Sequence, residues 1–227
     1  PSNLWAPELQ MEVAAIAGRS IQLQPVTGLE PGVEIKWKVT VAPGETYRIL
    51  TYKNDKVDLV SSLNLTKRVR FHSGNLSLQI DHVKESDSGL YSMDIATEGG
   101  RVDTRNFRVT VFDQVPKPNL TVLSAHLELG QCNFTLSCSV PGDNKVNYSW
   151  SQPGRDHQLH EHQSWLQLVI NTDSNETSYS CNASNAASWA VTTVDVRTPC
   201  SFKPGCQTCV SGSGSQTSAE GMMSETV

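Results

Sequence analysis

Cysteine is missing from the first 131 residues of this 227-residue chain, and all six cysteines fall between positions 132 and 209. Any fold in the first half must therefore hold by packing, without a covalent staple. No stretch reaches the roughly 20 apolar residues that would span a bilayer, and the opening Pro1-Ser2-Asn3-Leu4-Trp5 lacks an apolar signal segment. A mature ectodomain is the simplest account of both absences. Basic residues are not in excess, 18 against 23 acidic with a net charge of -5, which argues against a nucleic-acid binder. They are also unevenly spread, because 13 of the 18 lie in residues 1–113. Gly-rich phosphate loops, a Gly-x-Ser-x-Gly elbow and a His-Glu-x-x-His helix are all absent. The chain reads as a non-enzyme, with no cofactor and no small-molecule substrate.

What is present is period-2 alternation, with no long 3.6-period segment to compete with it. In the second half Trp150 lies between Cys138 and Tyr179-Ser180-Cys181. This order marks an immunoglobulin sandwich, with a tryptophan packed on the inter-sheet disulfide and a tyrosine two residues before the second cysteine. The first half repeats the plan with Trp37 and Asp87-Ser88-Gly89-Leu90-Tyr91-Ser92-Met93, where Met93 stands in the second cysteine's place. Pro25 fills the other half-cystine site, a loss that apolar volume can absorb. Lettered by the sandwich convention, Ile21–Leu23 is strand B, Ile35–Val39 C and Arg48–Lys53 C′. Val69–Phe71 is D, Leu76–Ile80 E, Tyr91–Ala96 F and Phe107–Val111 G. The segment Arg48–Asp58 gives the C′ and C″ strands of a variable-type domain. Arg68, before strand D, and Asp87, in the E–F turn, should pair at the base of the sandwich.

The predicted fold class is all-β, two tandem immunoglobulin-like sandwiches. The first, residues 1–113, is variable-type and lacks the inter-sheet disulfide. Residues 114–118, carrying Pro116 and Pro118, form a short stiff linker, because proline fixes φ and extends the residue before it. The second sandwich, 119–200, has no clear C″ segment and is constant-type (C2) with two disulfides, while the Gly/Ser/Thr-rich 201–227 is a flexible tail or stalk.

Six cysteines allow fifteen pairings. Cys138 and Cys181 flank Trp150 at strand B and strand F positions and should pair across the sandwich. Cys132 precedes strand B and Cys200 follows strand G, so they can meet at the domain's edge. Each closure is worth about 4 kcal/mol in the chain-entropy model. Cys206 and Cys209 are left for a local tail disulfide or an inter-chain crosslink, since no second Cys pair completes a zinc site. Seven of the thirteen asparagines sit in Asn-x-Ser/Thr sequons: Asn64, Asn75, Asn119, Asn133, Asn147, Asn175 and Asn182. With the even cysteine count they point to the secretory pathway, and to the extracellular face of the plasma membrane or secretion. His157, His160 and His162 cluster after Pro153-Gly154 and read as solvated loop histidines, with no metal site.

Ile21-Gln22-Leu23-Gln24-Pro25, Asn75-Leu76-Ser77-Leu78, Asp87–Tyr91, Val111-Phe112-Asp113 and Ser184–Trp189 carry a family resemblance. Over residues 12–200 the chain resembles the SLAM (signalling lymphocytic activation molecule) family, and these motifs look most like a family receptor of natural killer cells. Val115–Pro118 and Arg68-Val69-Arg70 resemble instead a GPI-anchored family member that is such a receptor's ligand. The resemblance implies a partner, a SLAM-family immunoglobulin ectodomain on another cell, engaged heterophilically through the outward C, C′, F and G face of the first domain. It implies regulation of natural killer or other lymphocyte activation, or alternatively a soluble or GPI-anchored ligand or decoy that does not signal. Alternation supplies the residues of that face. Trp37 inward puts Lys36 and Lys38 outward, and Met93 inward puts Asp94 outward. Arg108 points out beside Phe107 and Val109. Ile49, Thr51 and Lys53 share one side of C′, and Glu98 and Arg101 extend the patch at the F–G turn. The predicted patch is polar and leans basic, suited to an acidic partner.

Overall fold

Alternating burial organises the strands Glu34–Val41, Gly89–Ala96 and Gln131–Ser139. The computed structural model describes residues 10–25, 34–60, 62–129, 131–142, 145–152, 158–171, 178–196 and 218–222, with 127, 158–161, 171 and 218–222 by backbone alone. The described residues are all-β, and the chain divides into two compact units, one ending at Asp113 and the next beginning at Gln114.

The first unit contains β1 (Gln10–Ile16), β2 (Ile21–Leu23), β3 (Glu34–Val41), β4 (Glu45–Lys53), β5 (Lys56–Leu59), β6 (Val69–His72), β7 (Ser77–Ile80), β8 (Gly89–Ala96) and β9 (Val102–Phe112). Six strands form one sheet in the order β1-β9-β8-β3-β4-β5, and a three-stranded sheet runs β2-β7-β6. The strands expected around Trp37, Arg48, Tyr91 and Phe107 are β3, β4, β8 and β9. β1 was not expected; it pairs in parallel with β9, Gln10 opposite Asn106 through Ile16 opposite Phe112. Asn54 and Asp55 both adopt left-handed φ, 50° and 57°, the two-residue hairpin geometry that joins β4 to β5.

Inward residues of the two sheets make one core. Trp37, Tyr91, Met93, Phe107, Ile35, Leu78 and Ile80 are essentially inaccessible, and Trp37 meets Phe107 at 5.5 Å between ring centres. Gly89 is dictated by closeness, because a Cβ there would lie 2.7 Å from the Thr40 carbonyl oxygen on β3. At the base Arg68 grips Asp87 through two 2.7 Å hydrogen bonds, Nη1 to Oδ2 and Nη2 to Oδ1. Nη1 also donates to the carbonyls of Asp81 and His82. Asp87 Oδ2 accepts from the Lys84 amide at 2.8 Å, and the Tyr91 hydroxyl donates to the Asp87 carbonyl at 2.8 Å. This corner ties β6, the turn before β8 and β8 itself together, as the Arg68 and Asp87 positions suggested.

The second unit contains β10 (Asn119–Glu128), β11 (Gln131–Ser139), β12 (Asn147–Ser151), β13 (Gln158–Glu161), β14 (Trp165–Asn171), β15 (Ser178–Ser184), β16 (Ser188–Asp195) and β17 (Ser218–Met222). One sheet is β10-β11-β14, the other β13-β12-β15-β16-β17. Trp150 is fully buried, and Cys138 and Cys181 are bonded at 2.00 Å with Cα atoms 6.4 Å apart. Cys132 is buried and also disulfide-bonded; Cys200, Cys206 and Cys209 lie outside the described residues. Trp150 stands opposite Cys181 in the β12–β15 register just as Trp37 stands opposite Met93 in β3–β8. Met93 therefore occupies the cysteine's place in the ladder, and Pro25 is buried just beyond β2.

Three segments differ from the sequence reading. Residues read as linker are part of the second unit: the Val115 amide donates to Ser188 Oγ at 2.9 Å, and Thr192 Oγ1 donates to the Pro118 carbonyl at 2.7 Å. Gln158–Glu161 is not loop but β13, with His160 opposite Trp150, because an edge position next to β12 recruits its backbone. Within the expected tail, Ser218–Met222 pairs antiparallel with β16, completing an edge through main-chain bonds that need no apolar pattern.

Candidate partner-binding face

The outward side of the six-stranded sheet gathers most of the residues that alternation selected. On β3, Ile35, Trp37 and Val39 are buried, so Glu34, Lys36 and Lys38 project the other way. Asp94 lies opposite Lys36 on β8, and Thr51 lies opposite Lys36 on β4. Glu98 and Arg101 are exposed in the turn between β8 and β9, and Arg108 is exposed on β9.

Ile49 requires correction. It is completely buried and belongs to the core instead of the face. The cause is a bulge in β4: Trp37 faces Leu50 while Lys38 faces Arg48, leaving Ile49 as the extra residue. One inserted residue reverses the alternation, so Arg48 replaces Ile49 on the outer side.

The charges are not free. Lys36 Nζ and Lys53 Nζ each lie 2.7 Å from a different oxygen of Glu34. Lys38 pairs with Asp94, whose Oδ1 also accepts from Thr104 Oγ1 at 3.0 Å. Arg48 reaches Asp58 at 3.4 Å, and Arg108 lies 3.9 Å from Glu12 on β1. Arg101 Nε meets Asp103 at 3.0 Å. Across β1, β9, β8, β3, β4 and β5, five cations thus share four carboxylates, and the expected basic lean gives way to an interleaved, nearly neutral ladder. The two lysine hydrogen bonds lower the Glu34 pKa from 4.5 to about 2. Glu34, Arg48, Asp58 and Glu12 were missed by sequence reasoning. Glu34 was legible, two residues before Lys36 on the same side; Arg48 was not, since it needs the bulge.

What such a surface can do chemically is present fixed, alternating donors and acceptors at sheet spacing to another protein surface. Its pairs are solvent-exposed and individually weak, so they can exchange partners at small cost. No sequon lies on this sheet. Asn64 precedes β6, Asn75 turns between β6 and β7, Asn119 and Asn133 lie on β10 and β11, and Asn147 and Asn182 on β12 and β15. Asn175 lies outside the described residues, as do His157 and Asp156. A cavity of about 520 Å³ opens at the base of the first unit, and the Asp87 carboxylate on its wall is committed to Arg68. Among the described residues no cluster of His, Cys, Asp or Glu is arranged to hold a metal, and no helix is long and apolar enough to cross a membrane.

Comparison with known proteins agrees with this architecture. Residues 7–113 match the family model described as natural killer cell receptor 2B4. The rat natural killer cell receptor 2B4 is 33% identical over 85% of this chain and 61% of its own length, so the chain spans about three fifths of that relative. Mouse SLAM family member 5 is 28% identical over 79% of the chain and 47% of its length. Among solved structures, a crystal structure of a mouse coronavirus receptor-binding domain complexed with its murine receptor aligns with a TM-score of 0.61. It covers 82% of this chain and 94% of its own, at 21% identity, a likeness of fold alone.

Proposed function

The chain belongs to the SLAM family, and on that premise we propose that it serves immune recognition at the cell surface, its first unit binding an immunoglobulin ectodomain of the same family on another cell. The first unit is then a variable-type domain, a reading supported by its β1-β9-β8-β3-β4-β5 sheet facing β2-β7-β6. The second is a constant-type spacer, with a second bond from Cys132 to Cys200 beside Cys138–Cys181. The contact runs through Lys36, Lys38, Arg48, Thr51, Lys53, Asp94 and Arg108, with Glu98 and Arg101 at its margin, and it is heterophilic.

One observation carries this reading. The strands of the six-stranded sheet carry no sequon, while Asn64 and Asn75 flank β6 of the smaller sheet and both sheets of the second unit bear sequons on their strands. Glycans are bulky, so a face meant to dock flat on another protein should be free of them. The interleaved charges add specificity, since a partner must supply the complementary sign at each position, and mismatched like charges are strongly disfavoured.

Screening the purified chain against SLAM-family ectodomains by surface plasmon resonance tests the proposal. Binding to at least one of them, lost in the double variant K36E/K53E, is the expected result. Binding that the double variant leaves intact would move the contact elsewhere.

A further inference from the structure

The outer face of the β10-β11-β14 sheet is apolar where a solvated spacer should be polar. Trp165 is 46% exposed, Val169 63% and Leu123 64%. Trp165 and Val169 project from β14 on the side opposite buried Leu166. Leu123 sits at the β10 bulge, between the pairs Val122–Leu136 and Ser124–Thr135. Exposed apolar groups sharing one face ordinarily mark something that covers them.

The same face carries its own candidate cover. Asn133-Phe134-Thr135 is a sequon on β11, with Phe134 buried in the core so that Asn133 and Thr135 point outward. Val169 is the direct cross-strand neighbour of Asn133, and Trp165 is the neighbour of Ser137 on that row. At about 3.4 Å per residue, the row from Val169 to Trp165 is about 14 Å long, within reach of the first few sugars of an N-linked chain.

We infer that Asn133 carries an N-linked glycan whose first N-acetylglucosamine residues lie across Val169, Leu123 and Trp165 and shield this face of the second unit. The apolar faces of pyranose rings pack on aliphatic and indole surface, and their hydroxyls restore a polar exterior. Attachment at Asn133 also directs the sugar along the strand row, where it meets Val169 first. The sequon Asn147, on β12 of the other sheet, has no part in this contact. Asn119 lies on the same face but pairs with Ser139, beyond the Trp165 end of the row.

The test uses the full chain expressed in a glycosylating cell line that adds only high-mannose sugars. Glycopeptide mass spectrometry should find Asn133 occupied in nearly every molecule. Removing the sugar from folded protein with PNGase F, or preventing it with N133Q or T135A, should raise bis-ANS binding by about twofold or more and shift tryptophan emission to the red. Trimming to a single N-acetylglucosamine should keep part of the protection against bis-ANS, because the proximal sugar makes the Val169 contact, while tryptophan emission shifts to the red, because Trp165 lies at the far end of the row. N147Q and N119Q should change neither. An unoccupied Asn133, unchanged signals on its removal, or the same response in N119Q would overturn the inference. So would a glycosylated protein that sediments as a dimer and dissociates in V169D, which would put a second copy on this face.

Discussion

The two units solve one packing problem in two ways. Each buries a tryptophan opposite a residue of the next strand, Trp37 against Met93 and Trp150 against Cys181. The second unit closes the site covalently through Cys138–Cys181, a separation of 43 residues. The first fills it with Met93 and adds weight elsewhere, in a larger continuous core and in the Arg68–Asp87–Tyr91 corner. The lesson is that the disulfide is dispensable where apolar volume and a fully satisfied ionic corner replace it. Of the two units, the one without cysteines is also the one whose broad sheet stays clear of sequons.

Breaking the staple should separate the units most sharply. C138A/C181A should cost the second unit about 4 kcal/mol in the chain-entropy view, and reduction should act in the same direction. The first unit's transition should be unmoved in differential scanning calorimetry with and without reductant. The reciprocal cut is R68A, which strands the nearly buried Asp87 carboxylate; it should cost the first unit about 3 kcal/mol in urea denaturation and leave the second untouched. G89A should follow at about 2 kcal/mol, because β3 and β8 must separate to admit the methyl group beside Thr40.

The smallest effect on stability belongs to the candidate partner-binding face. K36E/K53E should leave the unfolding midpoint nearly unchanged, since the lysine side chains are 47% and 60% exposed and their pairs are screened. Its signature is Glu34 titration. Because the folded pKa is depressed, the pairing stabilises the fold above 4.5 and is lost as the pH falls from there through about 2. In the double variant the Glu34 carboxyl resonance should titrate at or above its ordinary value, and an unchanged midpoint would mean that the lysines do not hold it.

Much of this was legible in the sequence for a plain reason. Tryptophan, tyrosine and alternating apolar residues report burial locally, so the strands around Trp37, Tyr91 and Trp150 could be named before any pairing was known. Arg68 and Asp87 were readable because their positions relative to strand D and Tyr91 are fixed by the fold. Register was not readable. The β4 bulge that buries Ile49 and exposes Arg48 is set by pairing with β3, and no residue type announces it. Charge neutralisation on the face escaped for the same reason, since Asp58 and Glu12 approach Arg48 and Arg108 only across strands. Parallel pairing of β1, and the backbone-only recruitment of β13 and β17, left no periodic trace.

The central proposal is that recognition resides on the outer face of the cysteine-free unit. Binding of the intact chain to SLAM-family ectodomains by surface plasmon resonance, compared with K36E/K53E and with N147Q on the second unit, tests it most directly. The account predicts loss of about tenfold or more in affinity for the double variant, the equivalent of about 1.4 kcal/mol, and none for N147Q. Equal affinity for all three proteins would contradict it.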